Sequence, residues 1–309
     1  MKNSFLAGFM AAFAAVAIWG AQLPIAKDLF SVIDPFTSTA LRYLVALAVM
    51  LPVLVWLEGP SALRFGKQWK SAWALGLIGM SASPTLVFLG MSMSRAEHAV
   101  VIVALQPSIA AVLQWVLQAK RPAGFTLVCI GVALAGVVLV VTKGELHLVE
   151  TSGEMLGNGL VFLGALAWVL YTMGTPRLAG WSIWRITVLT MVPGGLANLA
   201  VAICVVAAGS VSLPTVDGLW SVRWSLAYLS FAGVLFSMLA WNFGNKRIGP
   251  LNATLFINFM PVMTFAFRAL QGQRFSVMEL TGAGLVVSAL VANNVFLRME
   301  YVAERRRAA

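Results

Sequence analysis

The sequence predicts an all-α polytopic membrane protein with ten transmembrane helices, arranged as two inverted five-helix repeats. Three observations support this fold class. Hydrophobic residues make up 60% of the 309 positions and charged residues 10%, whereas a soluble chain has about half and about a quarter. Apolar runs of about 20 residues, the length that spans a bilayer, recur along the chain. A proline-containing stretch also occurs twice, in corresponding parts of the two halves.

The repeated stretch places a proline inside an apolar segment in each half of the chain. The first copy, residues 105–121, reads LQPSIAAVLQWVLQAKR, and the second, residues 259–274, reads FMPVMTFAFRALQGQR. Pro107 and Pro261 are 154 positions apart. A period near half the chain length indicates a duplicated structural unit.

Ten apolar runs, separated by short polar or Pro/Gly breaks, are predicted to be the membrane helices. Their ranges are 5–26, 35–57, 71–91, 95–118, 123–142, 155–176, 180–208, 223–244, 250–270 and 276–297. The first run follows Lys2 and has the form of a signal peptide, but it continues through Trp19 towards Ala26. Because that length can span a membrane, this run is predicted to be the first transmembrane helix.

The helices divide into two domains and a tail. Residues 1–145 are predicted to form the first repeat, residues 154–298 the second, and residues 299–309 a basic cytoplasmic tail. Arg42 lies early in the second helix and Arg185 early in the seventh, which we interpret as a further correspondence between the repeats.

Basic residues are distributed unevenly between the two sets of loops. With the N-terminus in the cytoplasm, fourteen Lys and Arg residues lie on the cytoplasmic side and six lie outside. The six are Lys27, Arg95, Lys143, Arg223, Arg268 and Arg274. Because basic loops stay in the cytoplasm, both termini are predicted to be cytoplasmic, in a multi-pass protein of the inner membrane.

An odd number of helices per repeat inverts the second repeat relative to the first. Arg121 then closes the first proline-containing copy on the cytoplasmic side, and Arg274 closes the second copy outside. Inverted repeats recur in secondary transporters, which hold the substrate near the midplane where the repeats meet. The pattern therefore predicts a transporter with a small-molecule substrate and the lipid bilayer as partners.

Several short motifs resemble those of a known transporter family. The residues that carry the resemblance are Trp19-Gly20, Lys27, Pro35, Arg42, Pro107, Gly131, Pro261 and Gly284. Together they resemble the EamA repeat of the ten-helix branch of the drug/metabolite transporter superfamily, over essentially the whole chain. The overall pattern is most similar to bacterial aromatic amino acid exporters. The resemblance implies a central cavity surrounded by the first, third, fourth, sixth, eighth and ninth helices.

The chain departs from this family at the same turn of each repeat. The family often has Gly-Glu-Arg after the fourth and ninth helices, whereas these turns read Ala119-Lys120-Arg121 and Gly272-Gln273-Arg274. No role of that glutamate can be carried over, and the arginines are interpreted as interfacial anchors.

Polar and aromatic side chains inside these helices are the candidate substrate-binding residues. Polar groups at bilayer depth are costly, and an aromatic pocket with a few amides suits a zwitterion with an apolar side chain. The candidates are Trp19, Gln22, Ser83, Phe88, Gln106, Trp168, Tyr171, Trp241, Asn245 and Asn258. Trp19 and Trp168 are related by the repeat, and Gln22 and Tyr171 follow three residues later, near the same helix faces. For each aromatic residue the alternative is a position facing lipid or the membrane interface.

Three prolines and one arginine complete the candidate site. Pro84, Pro107 and Pro261 are predicted to kink or hinge their helices beside the cavity, the alternative being kinks that serve packing alone. Arg42 either attracts a substrate carboxylate in the cavity or extends to the outer interface.

These features predict a secondary transporter that exports small organic solutes, above all amino acids with aromatic or other apolar side chains, by alternating access. No Asp or Glu lies deep in a predicted helix, which favours a uniporter or exchanger over a proton-coupled multidrug or metabolite exporter. An integral-membrane enzyme is disfavoured, because no Asp, Glu, His or Cys set has catalytic or metal-ligand spacing.

No catalytic residue, metal site or cofactor is predicted. The net charge of +10 could indicate a nucleic-acid partner, but the basic residues are scattered between apolar runs, so none is expected. The sequence leaves the identity of the substrate and the oligomeric state open.

Overall fold

A computed structural model describes residues 2–118, 121–142, 152–249, 253 and 255–308. Across these ranges the chain is helical without a β-strand, which confirms the all-α class. In the same ranges, eight helices are long and apolar enough to cross a membrane, and two shorter apolar helices occupy the ninth and tenth predicted positions. The predicted polytopic membrane fold is therefore confirmed.

The helical segments are labelled α1 to α10 in chain order. Their bounds are α1 Lys2–Leu29, α2 Pro35–Glu58, α3 69–93, α4 96–118, α5 Gly124–Thr142, α6 Ser152–Gly174, α7 Ile183–Ala207, α8 Arg223–Ile248, α9 255–270 and α10 Val277–Ala308. Because α10 continues through residue 308, the predicted tail 299–309 is helical over its described part. Lys120, residues 143–145 and residues 250–252, all assigned above, lie outside the described residues.

Two helices begin with equivalent side-chain caps. The Asp34 carboxylate accepts a hydrogen bond from the backbone N–H of Phe36 (2.8 Å) at the start of α2. The Ser182 hydroxyl accepts one from the backbone N–H of Arg185 (2.9 Å) at the start of α7. Such caps satisfy N–H groups that have no partner inside the helix. Measured from its cap, Arg42 is eight residues along α2 but Arg185 only three along α7, so the predicted correspondence of these arginines is wrong.

Four helices are interrupted at matching places in the two halves. α3 and α8 each contain π-helical turns, Gly76–Ala82 and Tyr228–Phe236. α4 is broken between Ala96–Val103 and Gln106–Gln118, and α9 changes from a 3₁₀ turn, Leu255–Phe259, to an α-helix.

The predicted hinge prolines all follow these interruptions. Pro84, Pro107 and Pro261 are each the second residue of the helical segment that comes after the irregular turn. A proline is well tolerated there because its missing N–H would lack a partner within the helix. The regular α-helix is therefore interrupted by the residues before each proline.

The two halves pack as equivalents of each other. α1 packs along α8, and its counterpart α6 packs along α3, the counterpart of α8. Both contacts are made by glycines: a Cβ on Gly244 would lie 2.9 Å from the carbonyl oxygen of Gly8, and a Cβ on Gly157 would lie 2.6 Å from that of Gly90. Small residues let helix backbones approach this closely in membranes.

The inversion is visible at the end of the bundle that contains Glu97, called the Glu97 end. There α1 and α3 finish, since the Lys27 ammonium donates to the carbonyl of Met91 (2.8 Å). α6 begins at the same end, since the Ser94 hydroxyl donates to the Asn158 side chain (2.7 Å). α1 thus ends where its counterpart α6 begins, as inverted repeats require.

The opposite end is called the Glu58 end. α2 finishes there and α7 begins, with the Ser182 hydroxyl donating to the Glu58 carboxylate. α8 also finishes there, and Lys246 donates to the carbonyl of Trp181 (2.7 Å).

Candidate functional site

A central cavity of about 90 Å³ lies where the two halves meet, among α1, α2, α3, α4, α6, α8 and α9. Side chains from both halves line it. The sequence-predicted residues among them are Trp19, Gln22, Arg42, Ser83, Pro84, Phe88, Gln106 and Trp168. Aliphatic side chains and Tyr43 fill most of the remaining wall, so the cavity is mainly apolar with a few polar groups.

Three tryptophans form one wall of the cavity and the packing behind it. The Trp19 and Trp168 rings meet edge to face, with centroids 5.3 Å apart and planes at 87°. Trp241 is fully buried behind them, with its ring centroid 5.3 Å from that of Trp19 and 6.1 Å from that of Trp168. The indole N–H of Trp19 donates to the Gly233 carbonyl (3.0 Å), which fixes the ring. Edge-to-face packing and this hydrogen bond both hold the Trp19 ring in its position.

Tyr171 lies one layer below this wall. Its ring centroid is 5.1 Å from that of Trp168, and its hydroxyl donates to the Asn242 side chain (3.2 Å). The Asn242 amide donates in turn to the Thr187 hydroxyl (2.8 Å). Tyr171 is buried and does not line the central cavity.

Tyr171 and Gln22 nevertheless occupy equivalent positions, because each packs against a glycine of α3 or α8, which are counterparts in the two halves. A Cβ on Gly79 would lie 2.3 Å from the Tyr171 ring, and a Cβ on Gly233 would lie 2.2 Å from the Gln22 side chain. Each glycine sits in the π-helical turns of α3 or α8, so these turns open the space that the two side chains fill.

Arg42 lies in the cavity wall with its side chain buried. It is 2% exposed, and its guanidinium carbon lies 3.7 Å from the Phe88 ring centroid and 5.4 Å from that of Tyr43. Its Nε has no hydrogen-bond partner, and no carboxylate of the described chain forms an ion pair with it. The alternative in which Arg42 reaches the outer interface does not occur. A buried cation without a carboxylate partner can bind an anionic group strongly.

The predicted amides are distributed over different environments. The Gln22 and Gln106 side chains line the central cavity, and the Oε1 atom of each is buried without a partner in the described structure. Asn258 is fully buried with neither amide atom bonded to a described residue, but it does not line the cavity. Pro107 and Pro261 do not line it either. The sequence grouped these three with the cavity because their helix faces could not be assigned.

Asn245 lines a second cavity of about 330 Å³ at the Glu58 end. This cavity was not predicted from the sequence, because its walls come mostly from turns between helices. The lining residues are Thr175, Pro176, Leu178, Ala179, Gly180, Ile186, Asn242, Asn245, Lys246 and Gly249.

A cluster of charged side chains lies at the Glu97 end, and two of its members, Arg95 and Arg268, were predicted to lie outside the membrane. Glu97 is 3% exposed, and its carboxylate lies 3.5 Å from Nε of both Arg95 and Arg268. Arg95 also contacts Glu279 (2.9 Å), and Arg268 contacts Asp28 (3.1 Å). The five residues come from four helices and the turn before α4, so no sequence spacing could reveal the cluster.

The described residues contain no group of three or more His, Cys, Asp or Glu side chains placed to hold a metal ion.

A family model described as the EamA-like transporter family matches the chain twice, over residues 6–142 and 155–295. The two matched segments together cover most of the sequence and correspond to the two halves that pack as equivalents.

Individual proteins are similar over nearly the full length. The chain is 28% identical over 305 residues to the uncharacterized transporter YrdR of Bacillus subtilis (strain 168), covering 97% of this chain and 94% of that protein. It is 28% identical over 282 residues to the uncharacterized transporter YyaM of the same organism, covering 91% of each. Solved structures are similar as well; for one protein crystal structure the TM-score is 0.69 and the identity 20%, covering 97% of this chain and 99% of that chain. At this identity the structural likeness establishes the fold alone.

Proposed function

Because the chain belongs to the EamA-like transporter family, we propose that it is a secondary transporter that exports amino acids with aromatic or other apolar side chains. The observation that carries this proposal is that one cavity contains both an indole wall and a buried guanidinium, which has no carboxylate partner among the described residues. Trp19 and Trp168 supply the wall, and Arg42 supplies the cation.

Each part of such an amino acid has a matching group in the cavity. A guanidinium binds a carboxylate through parallel, charge-assisted hydrogen bonds, which suits Arg42. The unbonded Oε1 atoms of Gln22 and Gln106 can accept hydrogen bonds from an ammonium group. The indole faces suit an apolar or aromatic side chain, and they also attract a cation.

Transport requires the cavity to enlarge. Its volume of about 90 Å³ is below the roughly 300–1,000 Å³ of typical small-molecule binding pockets. We propose that the two repeats, residues 1–145 and 154–298, move relative to each other at the interruptions next to Pro84, Pro107 and Pro261. In the orientation proposed from the loop charges, the Glu58 end is cytoplasmic and the Glu97 end is outside.

Uniport or exchange is the proposed mode of transport. Among the described cavity-lining residues there is no Asp, Glu or His that could carry a proton with the substrate. A proton-coupled exporter is the second candidate, and a specific observation favours it. Glu97 and His98 are adjacent, buried residues at the Glu97 end, with the Ser94 hydroxyl 3.3 Å from Nδ1 of His98.

Counterflow in proteoliposomes tests the proposal. Purified protein is reconstituted with internal L-phenylalanine, and uptake of labelled L-phenylalanine, L-tryptophan, L-leucine, L-aspartate and L-lysine is measured. The first three are expected to enter by saturable exchange, and the W19A/W168A variant is expected to lose about 10-fold or more in rate. The control W56A changes a tryptophan that is 82% exposed and should behave as wild type.

Two results would overturn this reading. Absence of exchange for every amino acid would reject the substrate class, and an unimpaired W19A/W168A variant would reject the site. If a pH gradient alone drives uphill uptake, uniport and exchange are rejected and the protein is a proton-coupled transporter.

A further inference from the structure

We infer that the second cavity is a loading site for the α-amino carboxylate head group of the substrate. The inference rests on the proposed function, because it concerns how the same amino acid reaches the central cavity from the Glu58 end. The second cavity lies between the end of α6, the start of α7 and the end of α8.

The second cavity is the larger one in this conformation. Its volume is about 330 Å³, against about 90 Å³ for the central cavity. A small organic molecule therefore has more room at the Glu58 end than in the central cavity. This difference is expected of a transporter whose loading side accepts substrate before the midplane site opens.

Two neighbouring residues of α8 give the second cavity a zwitterion-binding character. The Asn245 side chain is 4% exposed and donates to the Thr175 hydroxyl (3.0 Å), but its Oδ1 has no partner in the described part of the chain. Lys246 lines the same cavity and is exposed, and its ammonium donates to the Trp181 carbonyl. An ammonium carries three hydrogens, so Lys246 can also bind a carboxylate.

These groups complement both charges of an amino acid head group. The buried Asn245 oxygen accepts from the α-ammonium, and Lys246 pairs with the α-carboxylate. Leucine, isoleucine and proline side chains in the same wall leave an apolar surface for the amino acid side chain. Lys246 also gives the cavity a positive charge that attracts the carboxylate end first.

A chain of contacting side chains connects the wall of the second cavity to the wall of the central cavity, and we take it as the barrier between them. Asn242 lines the second cavity and is hydrogen-bonded to Tyr171 and Thr187. Tyr171 packs on Trp168, which lines the central cavity. A substrate that displaces Asn242 from these two partners would open the path to the central cavity.

The experiment measures KM separately from each side of the membrane. N245L replaces the amide by an apolar side chain of similar size, and K246Q removes the positive charge from the cavity. K67Q is the matched control, because Lys67 is an exposed basic residue at the same end that does not line the cavity. Labelled L-phenylalanine is presented to membrane vesicles of both orientations. Inhibition of this uptake by unlabelled L-phenylalanine, 3-phenylpropionate or phenethylamine tests recognition of the head group. 3-Phenylpropionate lacks the ammonium group, and phenethylamine lacks the carboxylate.

We expect N245L and K246Q to raise KM about 10-fold from the Glu58 side and to leave KM from the Glu97 side unchanged. K246Q should weaken inhibition by 3-phenylpropionate, and N245L should weaken inhibition by phenethylamine. If the KM of N245L and K246Q rises equally from both sides, or changes no more than the KM of K67Q, the loading site is rejected while the proposed function stands. If wild-type protein transports no amino acid, the proposed function itself fails. Should N245L not fold, the exposed K246Q alone decides between these outcomes.

Discussion

Replacing Arg42 by methionine is expected to stabilise the protein and to remove its ability to bind a carboxylate. Arg42 is 2% exposed and has no carboxylate partner in the described structure. Burying an unpaired charge costs several kcal/mol, and its contact with Phe88 at 3.7 Å returns about 0.5–2 kcal/mol. The free energy of unfolding of R42M should therefore rise by about 1–3 kcal/mol.

The effect on binding has the opposite sign. Loss of a hydrogen-bonded charge pair with the substrate removes about 1.5–3 kcal/mol, which weakens binding roughly 10- to 150-fold. Thermal unfolding followed by tryptophan fluorescence gives the stability, and counterflow of L-phenylalanine gives the function. R42K is the matched control: it keeps the charge but loses the flat contact with Phe88, so it should bind better than R42M without gaining its stability.

An R42M variant that unfolds several degrees below wild type would show that Arg42 has a structural partner and would refute the reasoning. So would an R42M variant that transports L-phenylalanine with an unchanged KM.

Three further predictions concern packing and closure. A Cβ on Gly90 would lie 2.3 Å from the facing glycine carbonyl of α6, so G90A should lower the free energy of unfolding by about 1–3 kcal/mol. The control G131A should leave the free energy of unfolding unchanged, because no atom of the described structure lies within 4 Å of a Cβ there. Equal shifts of the melting temperature in the two variants would contradict this packing. Y171F removes the hydroxyl that binds Asn242 and should speed counterflow a few-fold at similar KM, whereas slower exchange would contradict a barrier role. E97Q removes one of the two carboxylates that contact Arg95 and one of the two that contact Arg268. It should lower the free energy of unfolding by about 1 kcal/mol, so an unchanged melting curve would contradict a stabilising role of Glu97.

Much of the fold follows from composition and the repeated proline stretch, because hydrophobic length specifies a membrane helix directly. The range 35–57, for example, became α2, Pro35–Glu58. Interruptions inside helices were harder to locate. The range 95–118 was predicted as one helix, yet α4 breaks after Val103. The position of this break could not be read from the sequence, because it precedes the proline that indicates it.

The candidate site was predictable where residues are related by the repeat. Trp19 and Trp168 could be paired because equivalent positions of inverted helices face the same axis, and their rings do meet. Asn245 was assigned to the central cavity, but it lies about one turn beyond Trp241 along α8 and lines the second cavity instead. The burial of Glu97 depends on arginines far away in the sequence, so only the folded chain shows it.

The central claim is that one cavity at the repeat interface is exposed alternately to the two sides of the membrane. Ser83 is a small, buried residue in the wall of that cavity, so S83C places a thiol there with little change in volume. In a background with Cys129 and Cys204 replaced by alanine, a membrane-impermeant thiol reagent is applied from each side in turn. S108C is the control, since Ser108 is equally buried but does not line the cavity.

The account predicts that S83C reacts from both sides, that L-phenylalanine protects it from both, and that S108C reacts from neither. Reaction of S83C from one side alone, or labelling unaffected by L-phenylalanine, would contradict alternating access at this cavity.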